Sequence, residues 1–396
     1  MRRWGRGGHP CSSDGAAPGV AFIHMRPLSI TGAVAVFAFA MAGTLVGQDS
    51  GIAPVSVSGE LRFTSITAGG THTCGLTAEG RAYCWGRNDA GQLGDSTVTD
   101  RPTPVPVVGS IVFRMLTAGL KHTCGISTED EPYCWGANEH GQLGNGGRTN
   151  LSVPFRVATE LRAITMSAGA HHTCATQVHW ERQGRIVCWG SNSEGQLGDM
   201  SEEDSSTPTA TFGVIQYVSV AAGDGHTCGV TKAGKLFCWG ANVRGQLGNG
   251  SATESRVPFL TRMNRHVTFT KVTAGASHTC ALTSSGEAYC WGENKDGQVG
   301  NGKGGRVLAP TWLRDSPAFA SLSAGGGATC GVTPEGTASC WGSNAAGQFG
   351  AGVGPGSTIP APALPGTTWT TLALGRAHAC GVRPDGVGLC WGRIGS

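Results

Sequence analysis

Fourteen of the 15 cysteines fall into pairs, and paired thiols either close a disulfide or help to hold a metal ion. The pairs are Cys74/Cys84, Cys124/Cys134, Cys174/Cys188, Cys228/Cys238, Cys280/Cys290, Cys330/Cys340 and Cys380/Cys390. Ten residues separate the partners in six pairs and fourteen in the third, and Cys11 stands alone. In six copies a histidine precedes the first cysteine by two residues: His72, His122, His172, His226, His278 and His378. A His-x-Cys…Cys set offers three metal ligands per copy, but a structural zinc site wants four. A disulfide needs only that the two side chains face each other. If a tight turn centred on Glu79 joins two strands, Cys74 and Cys84 stand opposite. Opposed antiparallel residues have Cα atoms about 4.5 or 5.5 Å apart, within the roughly 4.4–6.8 Å that a disulfide accepts. A slip of one residue would put the two side chains on opposite faces. In the third pair the extra residues lengthen the turn symmetrically, so the partners still face. Seven intra-hairpin disulfides are the leading reading, and metal binding is its rival. So many paired cysteines fit an oxidising compartment better than the cytosol.

Other residue types recur with the cysteines. The six histidines could ring an axis and bind an ion or ligand. The plainer reading is a turn histidine bonded to backbone, because the position repeats in copy after copy. Trp85, Trp135, Trp189, Trp239, Trp291, Trp341 and Trp391 follow the second cysteine of each pair, which points to packing between repeats. Gly-Gln-x-Gly could evoke a phosphate loop, but no Lys follows in the nucleotide-binding pattern, so it reads as a turn. No Ser-His-Asp set, paired carboxylates or cofactor motif stands out, and neither a catalytic residue nor a cofactor is assigned.

These residues must be positioned by a repeat. Cys-Trp-Gly recurs every 50 to 54 residues, seven times in the 396-residue chain. In the first copy, residues 63–67 alternate apolar and polar as a strand. A turn at Ala68-Gly69-Gly70-Thr71 leads to a second strand over 72–77. Ala78-Glu79-Gly80 is a tight turn with Gly where a left-handed residue is wanted. Residues 81–85 are a third strand. After Asn88 and Gly91-Gln92-Leu93-Gly94 comes a polar loop, then a short fourth strand over 103–107, whose prolines suit a sheet edge. Four short strands per unit, repeated seven times, predict an all-β, seven-bladed propeller. The last copy stops after Trp391-Gly392 without a fourth strand. Residues 53–57 carry the same Pro-and-Val pattern and are expected to complete that blade, which removes an open sheet edge.

The 65 glycines sit at fixed positions and so read as turn chemistry rather than disorder. A net charge of +3 with 14% charged residues gives no reason to expect nucleic acid. Met25-Arg26 opens a short basic start, residues 28–39 form an uncharged apolar run, and Ala40-Met41-Ala42 matches a small-residue cleavage site. Residues 25–42 therefore read as a secretory signal peptide, with an uncleaved membrane anchor as the alternative. Residues 1–24 read as a misassigned leader, with a real cytoplasmic leader as the alternative, and 53–396 as the propeller.

The His-Ser/Thr pair, the aliphatic strand, Trp-Gly-x-Asn and Gly-Gln-x-Gly together resemble the repeat of the regulator of chromosome condensation family. Six copies carry the Trp-Gly-x-Asn and Gly-Gln-x-Gly signature; the seventh has Ile394 where Asn belongs, and the sixth has Ala328 in the histidine position. The resemblance covers about residues 53–392 and implies a seven-bladed β-propeller. The paired cysteines look like a secreted bacterial branch of the family.

Function is expected where the repeat breaks. Copy three inserts residues into its second hairpin, Val178-His179-Trp180-Glu181-Arg182-Gln183, and Trp and Arg are common interface anchors. His179, Trp180 and Arg182 are the candidate partner contacts, on the face opposite the long loops. Those loops vary too: 200–204 is acidic and 303–306 basic. The reading is a non-catalytic, monomeric scaffold, secreted, periplasmic or at the cell surface, that binds an extracellular or surface protein. Enzyme inhibition is one form of it. Nucleotide exchange on a small GTPase, which the resemblance suggests, and action on a polysaccharide are the rivals.

Overall fold

A computed structural model describes residues 54–57, 59–157, 160–178, 183–263 and 266–393. The leader, the signal segment, Cys11, Ile394 and the inserted His179, Trp180 and Arg182 lie outside the described residues.

Among the described residues, seven antiparallel sheets of four strands each form the blades of a ring. Blade one holds the strands Ser65–Ala68, His72–Leu76, Ala82–Gly86 and Arg101–Pro106, from inside to outside. Blades two to six repeat this order. Blade seven takes three strands from its own copy, and the expected N-terminal strand supplies the fourth: Val55–Ser56 pairs with Gly388–Gly392, Val55 opposite Cys390.

The local sequence explains the strand ends. The inner strand of blade one begins two residues later than the alternation predicts, and Phe63 just before it docks on the neighbouring blade: its N–H bonds the Gly386 carbonyl at 2.8 Å. Phe113 on Gly80, Phe269 on Gly234 and Phe319 on Gly286 repeat this entry. The outer strand begins earlier than expected, because a bulge between Cys84 and Gly86 brings Gly86 opposite Arg101. The same shift follows Cys134, Cys188, Cys238, Cys290 and Cys340. Gly80 takes a φ of 74°, so the hairpin turn does use glycine's left-handed freedom.

The bulge touches only the outer edge of the third strand. On its inner edge Cys74 faces Cys84 in register, and so do Cys124 and Cys134, Cys174 and Cys188, Cys228 and Cys238, Cys280 and Cys290, Cys330 and Cys340, and Cys380 and Cys390. All seven pairs are disulfides, so these thiols are not available as metal ligands. One expectation needs correction. The Cα atoms stand 4.1 Å apart in every pair, closer than opposed residues usually come and just under the expected disulfide range. The reason lies in the ladder. The Thr77 N–H bonds the Arg81 carbonyl at 3.0 Å. Counting back from this bonded pair, alternation makes Cys74 and Cys84 a non-hydrogen-bonded pair, the closer of the two kinds. In blade three the Gln177 N–H bonds the Arg185 carbonyl at 2.9 Å, which places Cys174 and Cys188 alike. There Thr176 still opposes Ile186, so the insertion lies wholly beyond the paired strands.

Each hydrophobic core lies between blades. Leu76, Leu93 and Val107 of blade one pack with Phe113 and Trp135 of blade two. All seven repeat tryptophans are buried in this way. A fully buried large apolar side chain contributes about 2–3 kcal/mol, so these seams hold the ring together.

Candidate functional site

Asn88, of the Trp-Gly-x-Asn motif, organises the long loop. Its Oδ1 accepts the Leu93 N–H at 3.0 Å, and its Nδ2 donates to the Thr97 and Thr99 carbonyls at 3.1 Å. The side chain of Gln92 caps the same loop, its Oε1 accepting the Ala90 N–H at 2.8 Å. This leaves the Gln92 main-chain carbonyl aimed at the next blade. There it accepts the Trp135 indole N–H at 3.0 Å and the Thr123 hydroxyl at 2.8 Å.

The histidines complete this contact, and here the expectation is corrected. They are strand residues and not turn residues, and each Nε2 bonds the hydroxyl of a threonine on the next blade. His72 meets the Thr123 hydroxyl of the next blade at 2.8 Å. His122 meets Thr173, His172 meets Thr227 and His226 meets Thr279, each at 2.9 Å, and His278 meets Thr329 at 2.8 Å. In these five seams the threonine donates its hydrogen to a glutamine carbonyl, so its oxygen accepts from histidine and Nε2 carries the proton. All six rings are fully buried. Burial lowers the pKa of His72, His122, His172 and His226 to about 3 and of His278 and His378 to about 4, so the rings are neutral.

The turn glycines close the centre. A Cβ on Gly69 would collide with the Gly119 carbonyl and the His72 ring, and the same holds at Gly119, Gly169 and Gly223 with their neighbours. Only glycine lets the turns approach so closely. These glycines help to line an axial cavity of about 320 Å³, with Arg376 and Asp224 also in its wall. These two, from blades seven and four, approach to 3.6 Å across the axis. Both are half exposed, and such a pair contributes little to stability.

Three of the predicted loop charges, Glu202, Asp204 and Arg306, make contacts within the ring. Asp204 bonds the His140 Nδ1 at 2.8 Å and lies 3.5 Å from Arg148, and Glu202 pairs with Arg256. Arg306 donates to the Val243 carbonyl at 2.8 Å. The side of blade three that carries the insertion has exposed apolar residues, as do the outer strands of blades two and four at Phe155, Phe259 and Leu260. Next to its hairpin, in the linker to blade four, Phe212 is 54% and Val214 83% exposed. Arg185, at the foot of the hairpin, reaches toward the Gly213 carbonyl of the linker, 3.5 Å away. Val178, on the other leg, is exposed as well. Exposed Lys232 lies on the next hairpin, and residues 211–218 and 183–185 contain no acid. Sequence reasoning missed Phe212 and Val214, since nothing in the linker's composition marks it as unpaired.

A closed ring of latched blades with loops at both ends is a β-propeller of the kind that serves as a protein-binding or regulatory scaffold. The chain belongs to the regulator of chromosome condensation (RCC1) repeat family: the repeat matches residues 79–126, 130–176, 183–230, 233–282 and 285–332. It is 32% identical over 131 residues to the ultraviolet-B receptor UVR8 of Arabidopsis thaliana, a stretch that covers 32% of this chain and 30% of the receptor. It is 29% identical over 135 residues to the human E3 ubiquitin-protein ligase HERC2, covering 33% of this chain and 3% of the ligase. The chain therefore matches less than a third of the length of these relatives. Among solved structures, yeast RCC1 (Prp20) bound to Kap60 superimposes with a TM-score of 0.71 at 22% identity, covering 84% of this chain and 81% of that one. Human WBSCR16 gives 0.73 at 17%, covering 86% and 88%. The ectodomain of the Arabidopsis thaliana receptor kinase ACR4 gives 0.53 at 21%, covering 84% and 97%. These likenesses show the fold.

Proposed function

We propose that the chain is an exported, non-catalytic scaffold that binds a protein through the blade-three hairpin and the linker beside it. The observation that carries this reading is the exposed Phe212–Val214 linker, beside the one hairpin where the repeat is interrupted. An exposed aromatic and an exposed aliphatic side chain beside an insertion are the residue types from which an interface can be built. His179, Trp180 and Arg182 extend the same hairpin and are the proposed anchors. Seven buried disulfides support an oxidising destination, as does the signal-like segment at 25–42.

The test places a photo-crosslinking residue at Val214 in the protein expressed in its native host. A control carries it at Val243, also exposed, on a long loop. One dominant protein adduct from Val214, lost when Trp180→Ala is added, supports the reading. Adducts only from Val243, or none from Val214, would overturn it.

A further inference from the structure

Blades two and four are built alike where hairpin meets outer strand, and their charges differ. In Leu151–Arg156 and Ser255–Leu260 an exposed phenylalanine stands opposite the second cysteine: Phe155 opposite Cys134, and Phe259 opposite Cys238. The same backbone bond closes both hairpins. The Ser127 N–H bonds the Glu131 carbonyl, and the Thr231 N–H bonds the Lys235 carbonyl, each at 2.9 Å. Glu131 and Lys235 therefore hold one position in the repeat. In blade two Glu131 takes Arg156 and Arg162 at 3.0 Å each, so the cations beside Phe155 are answered from within the blade. In blade four a lysine stands where that acid would be.

The cations of blade four are left over as a result. Residues 225–286 hold seven Lys and Arg against one acid, Glu254, whereas the whole chain nets only +3. Arg244 and Arg256 pair with Glu293 and Glu202. Among the described residues, no carboxylate pairs with Lys232, Lys235 or Arg262. Lys235 and Arg262 line one groove of about 830 Å³, with Phe259, Leu260, Met263 and His266 also in its wall. Phe259 is 50% and Leu260 46% exposed, so apolar surface and unanswered positive charge share one concavity.

We propose that this groove docks an acidic segment of a partner protein. A carboxylate of the partner seats beside Lys235 and Arg262, supplying from outside what Glu131 supplies within blade two. An apolar side chain next to it covers Phe259 and Leu260. Charge complementarity selects the acid and the apolar contact adds affinity. A protein segment brings both groups together, where an anionic glycan brings only the first. The site uses none of the residues of the blade-three surface.

Fluorescence anisotropy on the disulfide-intact, full-length protein tests this. The probe is a short labelled peptide in which glutamates flank one phenylalanine. It should bind, and Lys235→Glu, which gives blade four the acid of blade two, should weaken it at least about ten-fold. Phe259→Ser, or alanine for phenylalanine in the peptide, should weaken it as well. Phe155→Ser and Trp180→Ala should change nothing, which separates this site from the blade-three surface. Circular dichroism checks that each variant is folded, and Arg262→Glu serves if Lys235→Glu is not. The proposal is overturned if the peptide does not bind, or binds a folded Lys235→Glu protein equally well. It is also overturned if a peptide with lysine in place of glutamate binds as tightly. Alginate or anionic vesicles binding equally well to the wild type and to Phe259→Ser, and displacing the peptide, would overturn it too, because the groove would then be reading charge alone.

Discussion

Mild acid should unfold this ring, and the buried histidines set where. In the folded protein six rings stay neutral down to a pH of about 3 to 4. In the unfolded chain they titrate near 6.5. Above that pH both states are neutral and the histidines contribute no pH dependence. As pH falls through it, the unfolded chain binds protons that the folded protein refuses, so stability drops until the folded pKa is reached. Each such histidine gives a slope of about 1.4 kcal/mol per pH unit, and six give about 8. Integrated from pH 7.5 to 5.5, the loss is about 8 kcal/mol, comparable to the whole stability of many domains. The lowered pKa of His171 acts in the same direction. Asp89, Asp95 and Asp204, lowered from 3.8, act only nearer pH 4 and below. The assay is urea unfolding without reductant, followed by tryptophan fluorescence at pH 7.5, 6.5 and 5.5. The double variant His122→Ala/Thr173→Ala removes one such proton and should flatten the slope by about 1.4 kcal/mol per pH unit. A loss below about 2 kcal/mol between pH 7.5 and 5.5 would refute the reasoning, because it would mean that the rings accept protons in place.

Two further substitutions probe the centre and the blades. Gly169→Ala puts a methyl group against the Gly223 carbonyl and the His172 ring, and should cost about 3 kcal/mol or prevent folding. Gly304→Ala, with open space around it, should leave the urea midpoint unchanged. Replacing Cys228 and Cys238 together by Ser removes a ten-residue cross-link, and should cost about 2–3 kcal/mol in the same assay while circular dichroism stays native.

Much of this was legible in the sequence, and the limit has a physical cause. The cysteine pairs, the hairpins and the closing strand follow from local spacing and turn chemistry, so they could be read directly. The bulges after Cys134, Cys188, Cys290 and Cys340 could not, because they are set by how the fourth strand returns along the third. The Pro-and-Val pattern near Val55 announced its role because it repeats a feature of the other outer strands. The histidines were harder. The partner of His72 is Thr123, 51 residues on, and the pairing appears only when neighbouring blades stand side by side. Gln92 acts on the next blade through its main chain, which carries no signature of its own. The exposed linker at Phe212 and Val214 was invisible because its character comes from what fails to cover it.

The most direct test of the central claim, a disulfide-locked ring made for an oxidising setting, is intact mass after thiol labelling of the protein from its native host. The account predicts that the fourteen repeat cysteines take label only after reduction and denaturation. Labelling of most of them in denaturant without reductant would contradict the account and reopen an intracellular role for the chain.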